Sequence, residues 1–418
     1  MHTFNRNPGA AKIRRRNLSR HEQPAPFPMD RPALYFDHAA TTPLRPEALD
    51  AMRPHLGGVF GNPSSAHRWG RQARAALDEA RAECARAVGA EPAEIAFVRG
   101  GTEADNMAVL GRAAVALAAG ERPRTVATTI EHPAVREACD EVAARGGESV
   151  QVEVDRAGEL DEDGLADALA RGACVLSVMW VNNEVGTVLP VERAASRARA
   201  AGVVVHSDAV QAVGKVPVDF GRAGLDLASM TAHKIGGPRG VGLLYRRSGV
   251  ELAPLLFGGG QERRLRPGTE DVAGAAGLAK ALTLAVAEQA AEAERLAAER
   301  DRLQAAIVDA LPGTRVFGEE GERAPHLLNV GFPGLDAATL VMAFDLAGVA
   351  VSGGSACASG STTTSPVLRA LYGDDAEGLA SVRFSLGRTT TSAEVSEAAR
   401  RTVEIVTRAR ALVGAGAV

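Results

Sequence analysis

Short apolar runs alternate with amphipathic stretches along the chain from Leu34 onward. Continuous apolar runs are typical of strands that are buried on both faces of a parallel sheet. The predicted strands are residues 94–98, 125–130, 150–154, 174–181, 203–207, 225–230 and 242–245. The amphipathic stretches predict helices at residues 65–88, 103–119, 134–145, 165–171 and 191–201. This alternation predicts an α/β domain with a mostly parallel sheet covered by helices on both faces.

The pattern changes at Asp271. A stretch rich in alanine, glutamate and leucine continues to Leu311 almost without turn signals, which predicts one long helix or two abutting helices. The elements predicted after it are a strand near 327–330, a helix near 337–347, a loop rich in glycine, serine and threonine at 352–365, a strand near 382–386 and a closing helix. These elements indicate a smaller α+β domain.

The pattern divides the chain into four segments. These are a disordered basic tail (1–30), an N-terminal segment that packs with the small domain (31–45), a large α/β domain (46–270), and the long helix with the small domain (271–418). The tail contains Arg14, Arg15, Arg16 and prolines at positions 24, 26 and 28, with little apolar periodicity. An organellar transit peptide is one interpretation of the tail, and a disordered extension or a misplaced start codon is the simpler one. We expect residues 1–28 to be dispensable.

Charge and cysteine content narrow the class of protein. The formal net charge is −4, which gives no reason to expect nucleic acid or an anionic membrane as a partner. No apolar run reaches the ~20 residues of a membrane span, and the polar start does not resemble a secretory signal. The four cysteines form no CxxC pair and no metal-ligand spacing. We therefore expect a cytoplasmic protein with free thiols and no metal site.

Lysine is rare in this chain. Of 47 basic residues only four are lysines, at positions 12, 215, 234 and 280. Where arginine has taken most basic sites, a remaining lysine is more often needed as a deprotonatable amine. Lys234 follows the predicted strand 225–230 and precedes a glycine- and proline-containing loop, which places it at the edge of a crevice. There a neutral amine can form a Schiff base, and the alternative is a lysine that caps a loop.

Other polar groups follow predicted strands in the same way. Gly101 and Thr102 lie between the strand 94–98 and the next helix, where free backbone N–H groups and the positive helix end can hold a phosphate. The alternative is a helix cap. Asp208 follows the strand 203–207, where a protonated pyridine nitrogen could pair with it or where it could cap the next segment.

His132 and Asn183 also follow predicted strands. His132 could stack on a ring and shuttle protons, or it could simply end its strand before Pro133. The carboxyl ends of strands are where open α/β sheets bind ligands. A Schiff-base lysine, a phosphate site, a carboxylate and a ring-stacking group together are what pyridoxal phosphate requires.

Cys357 differs from the other three cysteines in its surroundings. Cys84, Cys139 and Cys174 lie among apolar helix or strand residues and are predicted to fill the core. Cys357 lies in the small-residue sequence SGGSACASG, where a thiol can be exposed and can travel. A nucleophile that accepts a chemical group from one molecule and transfers it to another needs such a loop.

Seven motifs resemble the cysteine desulfurases of the class V aminotransferase family. They are YFDHAATTP (35–43), GNPSSAH (61–67), EHPAV (131–135), NNEVG (182–186), DAVQ (208–211), HKIGGP (233–238) and RFSLGR (383–388). The resemblance runs from Leu34 to the end, and the loop with Cys357 resembles the NifS/IscS-like branch, which has the longer catalytic loop. It implies the fold type I of pyridoxal-phosphate-dependent transferases. The departures are His38, Thr231 and Pro267, where Asn, Ser and Ser are more frequent.

The resemblance implies roles in binding pyridoxal phosphate. Lys234 would carry the cofactor as a Schiff base and move the Cα proton. The phosphate would be held by Gly101, Thr102, Thr231, His233 and, from the other chain of a homodimer, Thr269 of the partner subunit. Groups around the ring would be Asp208 on the pyridine nitrogen, His132 stacked on the face, and Asn183 and Gln211 at the ring oxygen.

The resemblance also implies the substrate and the partners. Arg383, with Asn62, would bind the carboxylate of L-cysteine. Cys357 would attack the substrate sulfur and become a persulfide, leaving alanine. A protein sulfur acceptor, such as a cluster scaffold or a thiolation protein, would then take the sulfur from the homodimer, with neither nucleic acid nor membrane involved. Iron–sulfur cluster assembly, tRNA thiolation, DNA sulfur modification and thio-natural-product synthesis all remain open.

Two other interpretations stay open at this point. An aminotransferase or selenocysteine lyase of the same fold would keep Lys234 and Asp208 but would not need Cys357 on its loop. A catalytically silent sulfur-trafficking scaffold would be expected to have lost one of these three residues, and all three are present.

Overall fold

The computed structural model describes residues 33–353 and 364–415. The elements of its first part are β1 Leu34–Tyr35, α1 Pro46–Leu56, α2 Arg68–Ala87, β2 Ile95–Val98, α3 Gly101–Ala118, β3 Arg124–Thr128, α4 Pro133–Ala144, β4 Glu148–Val152, α5 Glu162–Ala170, β5 Val175–Ser177, α6 Val191–Ala200, β6 Val205–Asp208, β7 Leu227–Thr231 and β8 Gly242–Arg246. Those of its second part are α7 Val272–Ala310, β9 Arg315–Phe317, β10 Leu327–Pro333, α8 Ala337–Leu346, β11 Val349–Ala350, β12 Ser352–Gly353, α9 Pro366–Tyr372, β13 Leu379–Ser385 and α10 Ser392–Ala415.

The seven predicted strands of the large unit form one sheet in the order β2-β8-β7-β6-β5-β3-β4. The pairs β3–β4, β3–β5, β5–β6 and β6–β7 are parallel, and β8 is antiparallel to both its neighbours. The α/β class with a mostly parallel sheet is therefore confirmed. Because β8 alone is reversed, strands β2, β7, β6, β5 and β3 all end at the same edge.

Helices cover the sheet with their small apolar residues. In α6 the buried positions are Val191, Ala194, Ala195 and Ala198, the spacing of one helix face. Strands β2, β6 and β7 are buried along their whole length. Burying a leucine or valine side chain contributes about 1.5–3 kcal/mol to stability, so this double cover holds the strand ends in place.

A second, four-stranded sheet has the order β12-β13-β10-β9, and each of its pairs is antiparallel. Its core contains Phe344 and Phe384, and Leu34 and Phe36 of the N-terminal segment pack in the same cluster. The strand β1 also pairs in parallel with β11. The N-terminal segment thus contacts the small unit before it runs on to the large one.

The stretch from Asp271 forms one helix, α7, of 39 residues. The Asp271 side chain accepts a hydrogen bond from the Gly274 N–H and caps its first turn. Its first half, with Leu278 and Leu282, packs in the core of the large unit, and its second half, with Leu303, packs in the core of the small one. A single helix therefore joins the two cores.

Sequence patterns miss several short elements. Helix α1 carries prolines at both ends of its span, and β9, β11 and β12 are only two or three residues long. The strand predicted at 174–181 is shorter than expected, Val175–Ser177, although Trp180 still donates a backbone hydrogen bond to the Asp208 carbonyl. Among the described helices, none is long and apolar enough to cross a membrane.

Candidate active site

Lys234 lies directly after β7, in the short 3₁₀ turn Ala232–Lys234. Gly236 follows this turn with φ +82°, and a Cβ at that position would approach a neighbouring side chain to 2.6 Å, so glycine is required. The Lys234 Nζ donates hydrogen bonds to the carbonyl oxygens of Ala39, at 2.5 Å, and Ala40, at 2.8 Å. The amine thus lies at the carboxyl edge of the sheet, held there by the N-terminal segment.

Asp208 is the last residue of β6 and is only 5% exposed. Its Oδ1 accepts a hydrogen bond from the Val210 N–H at 2.9 Å. Burial raises the pKa of Asp208 above its ordinary value, while His132, the Val210 N–H and Lys234 act in the opposite direction. A buried carboxyl of this kind is stabilised by a cation at the same strand edge.

His132 caps the first turn of α4, because its Nδ1 accepts a hydrogen bond from the Ala134 N–H at 3.1 Å. A ring nitrogen that accepts a hydrogen bond carries no proton, so this ring is neutral with its proton on Nε2. Burial lowers the pKa of His132, and Asp208 partly opposes this. One nitrogen of His132 and one carboxyl oxygen each of Asp105 and Asp208 lie within 4.8 Å of one another. His132 therefore both caps α4 and lies beside Asp208.

A cavity of about 750 Å³ opens at the N-terminus of α3. Its lining includes the four same-chain residues predicted to hold a phosphate, Gly101, Thr102, Thr231 and His233. The first N–H groups of a helix lack intrahelical partners and the helix dipole is positive there, so this end favours an anion. The arginines that line the cavity are Arg99, Arg239 and Arg266.

Arg383 lies on β13 and is 2% exposed. Its Nη2 forms an ion pair with Asp37 Oδ1 at 2.9 Å, and its Nη1 donates to the backbone carbonyl of Asn183 at 2.8 Å. Its buried Nε has no hydrogen-bond partner among the described residues. A substrate carboxylate would therefore compete with Asp37 for this guanidinium.

Gln211 and Lys234 donate to the same carbonyl. The Gln211 Nε2 lies 2.9 Å from the Ala39 oxygen, which also accepts from the lysine. On the other side, Gln211 Oε1 lies 3.4 Å from Nε2 of His326, a fully buried residue just before β10. The amide is thereby oriented with its NH₂ group toward the lysine.

Two predicted site residues of the described chain, Asn62 and Thr269, do not join this group. Asn62 is exposed, and its Oδ1 accepts from the Ser64 N–H within its own loop. Thr269 is exposed and is not part of the cavity lining of its own chain. A third predicted site residue, Cys357, lies outside the described residues. The roles of all three stay predictions.

The other cysteines are buried, as the sequence predicts. Burial raises the pKa of Cys84 and Cys174 and raises that of Cys139 to about 12. Thiols of this kind are protonated at neutral pH and are poor nucleophiles.

Sequence reasoning missed three buried titratable residues beside Asp208, namely Asp105, Glu131 and His206. Asp105 lies on the apolar face of α3, between Ala104 and Met107. An acid on the buried face of a helix is a signal that the sequence pattern offered. Glu131 directly precedes His132, and its Oε1 accepts from the Thr128 hydroxyl and the Met179 N–H, each at 2.7 Å.

Replacing Glu131 with glutamine should remove part of the pH dependence of stability. Burial raises the pKa of Glu131 from 4.5 to about 8, so between these values the folded chain keeps a proton that the unfolded chain releases. The stability contributed by this group therefore falls as pH rises through that window, by up to about 1.4 kcal/mol per pH unit.

The measurement is the urea midpoint of the wild type and of Glu131→Gln at several pH values and one protein concentration. The wild type should lose stability relative to the variant between about pH 5 and pH 8, since glutamine does not titrate. Parallel profiles for the two proteins would contradict this assignment.

Comparison with known sequences identifies relatives over most of the chain. Residues 34–397 match the family described as "Aminotransferase class-V". The chain is 41% identical over 377 residues to "Putative cysteine desulfurase IscS 1" of Bacillus subtilis (strain 168), covering 90% of this chain and 99% of that protein. It is 40% identical over 378 residues to "Cysteine desulfurase NifS" of Azotobacter vinelandii, covering 90% and 93%.

Solved structures give the same result for the fold. A "NIFS-LIKE PROTEIN" matches with a TM-score of 0.83 and 33% identity, over 90% of this chain and 99% of that one. The structure described as "SspA in complex with cysteine" matches with a TM-score of 0.73 and 30% identity, over 84% and 98%. The chain therefore belongs to the class V aminotransferase family, as one of its NifS/IscS-like cysteine desulfurases.

Proposed function

We propose that this cysteine desulfurase carries pyridoxal phosphate on Lys234 and transfers the sulfur of L-cysteine to Cys357. The observation that carries the proposal is the convergence, at one sheet edge, of the Lys234 amine, the buried Asp208 carboxyl and the open N-terminus of α3. Each group lies at the end of a different strand, and the fold brings them together because these strands end at the same edge of the sheet.

The residues present fit this cofactor. The cavity at α3 offers backbone N–H groups, hydroxyls and arginines for a phosphate. A Cβ on Gly101 would lie 2.8 Å from Val210 Cγ2, so the chain needs glycine where the helix begins. Asp208 would face the pyridine nitrogen and His132 would cover the ring, while Asn183 and Gln211 would address its oxygen.

When bound, the cofactor supplies an electron-withdrawing ring that stabilises negative charge at Cα of the amino acid. Lys234, as a neutral amine, takes the Cα proton at its Nζ and later returns one. The carbonyl oxygens of Ala39 and Ala40 limit where that nitrogen can move. Asp208 holds its negative charge where the ring nitrogen is cationic.

Arg383 is proposed to bind the substrate carboxylate, with Asn62 as a second contact. Its guanidinium is buried, planar and already shaped for a carboxylate, because Asp37 occupies it at 2.9 Å. Substrate binding would exchange one carboxylate for another, so the buried cation is never left unpaired. The relative bound to cysteine, SspA, supports an amino-acid substrate of this size.

Cys357 is proposed as the sulfur acceptor. Its thiolate forms an S–S bond as the Cβ–S bond of the substrate breaks, and Cβ takes up a proton to give alanine. The burial of Cys84, Cys139 and Cys174 supports this choice, since none of these thiols can reach solvent or a partner. The persulfide would then pass to a protein acceptor of an iron–sulfur or thiolation pathway in the cytoplasm.

A homodimer would complete the phosphate site with Thr269 of the partner subunit. The exposed residues Leu256, at 51%, and Phe257, at 89%, support this proposal. Leu256 lines the cavity beside Phe257, and exposed apolar side chains at a ligand site are typical of an interface.

Asp208→Asn tests the proposal directly. The variant should fold, bind cofactor more weakly and form alanine from L-cysteine on the order of 10²-fold more slowly, because an amide cannot balance a cationic ring nitrogen. The measurement is alanine formation together with cofactor affinity.

Asp226→Asn is the matched control for this experiment. Asp226 is also a buried aspartate beside the same sheet, but it precedes β7 at the opposite edge and pairs with Arg247. Its replacement should lower stability and leave turnover unchanged. Near-normal turnover in Asp208→Asn would remove Asp208 from the site.

A further inference from the structure

Asp105 is a second buried carboxyl next to Asp208. It lies in the second turn of α3, is 1% exposed and points at the sheet. One of its oxygens, a nitrogen of His132 and an oxygen of Asp208 are within 4.8 Å of one another. Its Oδ1 has no hydrogen-bond partner in the described part of the chain. Two carboxyls that are this close together and this deeply buried cannot both be ionised without a compensating cation at each.

His206 lies on the same face of β6 as Asp208, two residues earlier. Its Nδ1 is 2.7 Å from the Ser177 hydroxyl, and its Nε2 is 2.9 Å from the Ser229 hydroxyl and 3.5 Å from Asp105 Oδ1. Burial lowers the pKa of His206 to about 3, so this ring is neutral at physiological pH. The network behind Asp105 therefore supplies polar groups but no positive charge.

The neighbours of the two carboxyls shift their pKa values in opposite directions. For Asp105, burial raises the pKa first, Asp208 and Glu131 raise it further, and only the neutral hydroxyl of Ser229 lowers it. For Asp208, His132 and Lys234 both oppose the effect of burial. His132 and Lys234 thus lower the pKa of Asp208, whereas the neighbouring acids raise the pKa of Asp105.

We propose that Asp105 is a positioning residue that keeps its proton, so that the single negative charge of the pair rests on Asp208. An ionised Asp105 would favour protonation of Asp208. The negative charge that stabilises a cationic ring nitrogen would then be lost. A neutral Asp105 instead gives Asp208 an uncharged polar neighbour in a buried site. This inference rests on the proposed role of Asp208, but the location of the proton can be measured without any turnover.

Infrared spectroscopy of protein labelled with ¹³C at its aspartate carboxyls locates the proton. Wild type at pH 7 should show a protonated-carboxyl band that shifts with the label, which separates it from Glu131. The band should vanish in Asp105→Asn and remain in Asp208→Asn. Absence of the band, or its loss only in Asp208→Asn, would overturn the assignment.

Cofactor affinity of the apoprotein tests the role of the neutral side chain. Asp105→Asn keeps size, neutrality and polar contacts, so its affinity for pyridoxal phosphate should stay close to that of wild type. Asp105→Ala leaves Ser229 and His206 without their neighbour, and affinity should fall by about tenfold or more.

The outcomes of the affinity experiment separate the possible roles. If Asp105→Asn weakens binding as much as Asp105→Ala, the residue acts through a charge, and the inference is wrong. Unchanged affinity in both variants also contradicts it, since Asp105 would then have no role in the site. Failure of Asp208→Asn to slow turnover would overturn the proposed function instead, and would leave the infrared result intact.

Discussion

Cys357→Ser should abolish alanine and sulfide formation while cofactor and L-cysteine still bind. Binding needs only Lys234, Asp208 and Arg383, and all three remain. A serine hydroxyl is a poor nucleophile toward sulfur without strong activation, so the transfer step has no acceptor. The measurements are alanine and sulfide release, and the cofactor absorbance before and after addition of L-cysteine.

Labelled sulfur identifies the acceptor independently of rate. Wild type treated with L-cysteine and no reductant should carry a persulfide at Cys357 alone. Alanine substitutions of Cys84, Cys139 and Cys174 serve as matched controls, because these buried thiols affect packing and not transfer. Wild-type turnover in Cys357→Ser would favour an aminotransferase or a selenocysteine lyase.

Lys234→Ala should remove both the attachment of the cofactor and the base for the Cα proton. Loss of the base alone lowers turnover by on the order of 10²–10⁴-fold. The protein should lose the absorbance of lysine-linked cofactor and its borohydride-reducible label. Lys234→Arg should fail equally, because a guanidinium stays protonated.

Lys280→Ala is the control for this prediction, since Lys280 lies within the helix α7 and does not follow a strand. The Lys280→Ala variant should retain the absorbance of lysine-linked cofactor, the borohydride-reducible label and wild-type turnover. A reducible adduct on a different lysine in Lys234→Ala, for example Lys215, would show that the attachment site was assigned wrongly.

The strand ends could be predicted because they depend on local patterns. Asp208 and Lys234 each follow an apolar run, and a parallel sheet brings such positions to one edge. The reversal of β8 could not be predicted in this way, because an antiparallel central strand has the same continuous apolar pattern as a parallel one. Strand direction depends on connections, which the apolar pattern does not record.

Contacts between distant segments are the part that the sequence did not reveal. The ion pair of Arg383 with Asp37 joins residues 346 positions apart, and the hydrogen bonds of Lys234 reach Ala39 and Ala40 across the chain. Asp105 was missed for a different reason. Asp105 lies within a predicted helix, where a single acidic residue among apolar ones looks like an ordinary interruption of the apolar face.

The unbroken helix α7 has a mechanical consequence for the small unit. The portion beyond Ala285, the last residue of α7 in the core of the large unit, is about 38 Å long at a rise of about 1.5 Å per residue. A bend of about 1.5° at its base therefore moves its far end by about 1 Å, without any hinge loop. The small unit that packs on this end also carries Arg383. Because Phe317 and Tyr372 of the small unit also pack in the core of the large one, such a bend would have to repack that contact as it moves the Arg383 guanidinium relative to Lys234.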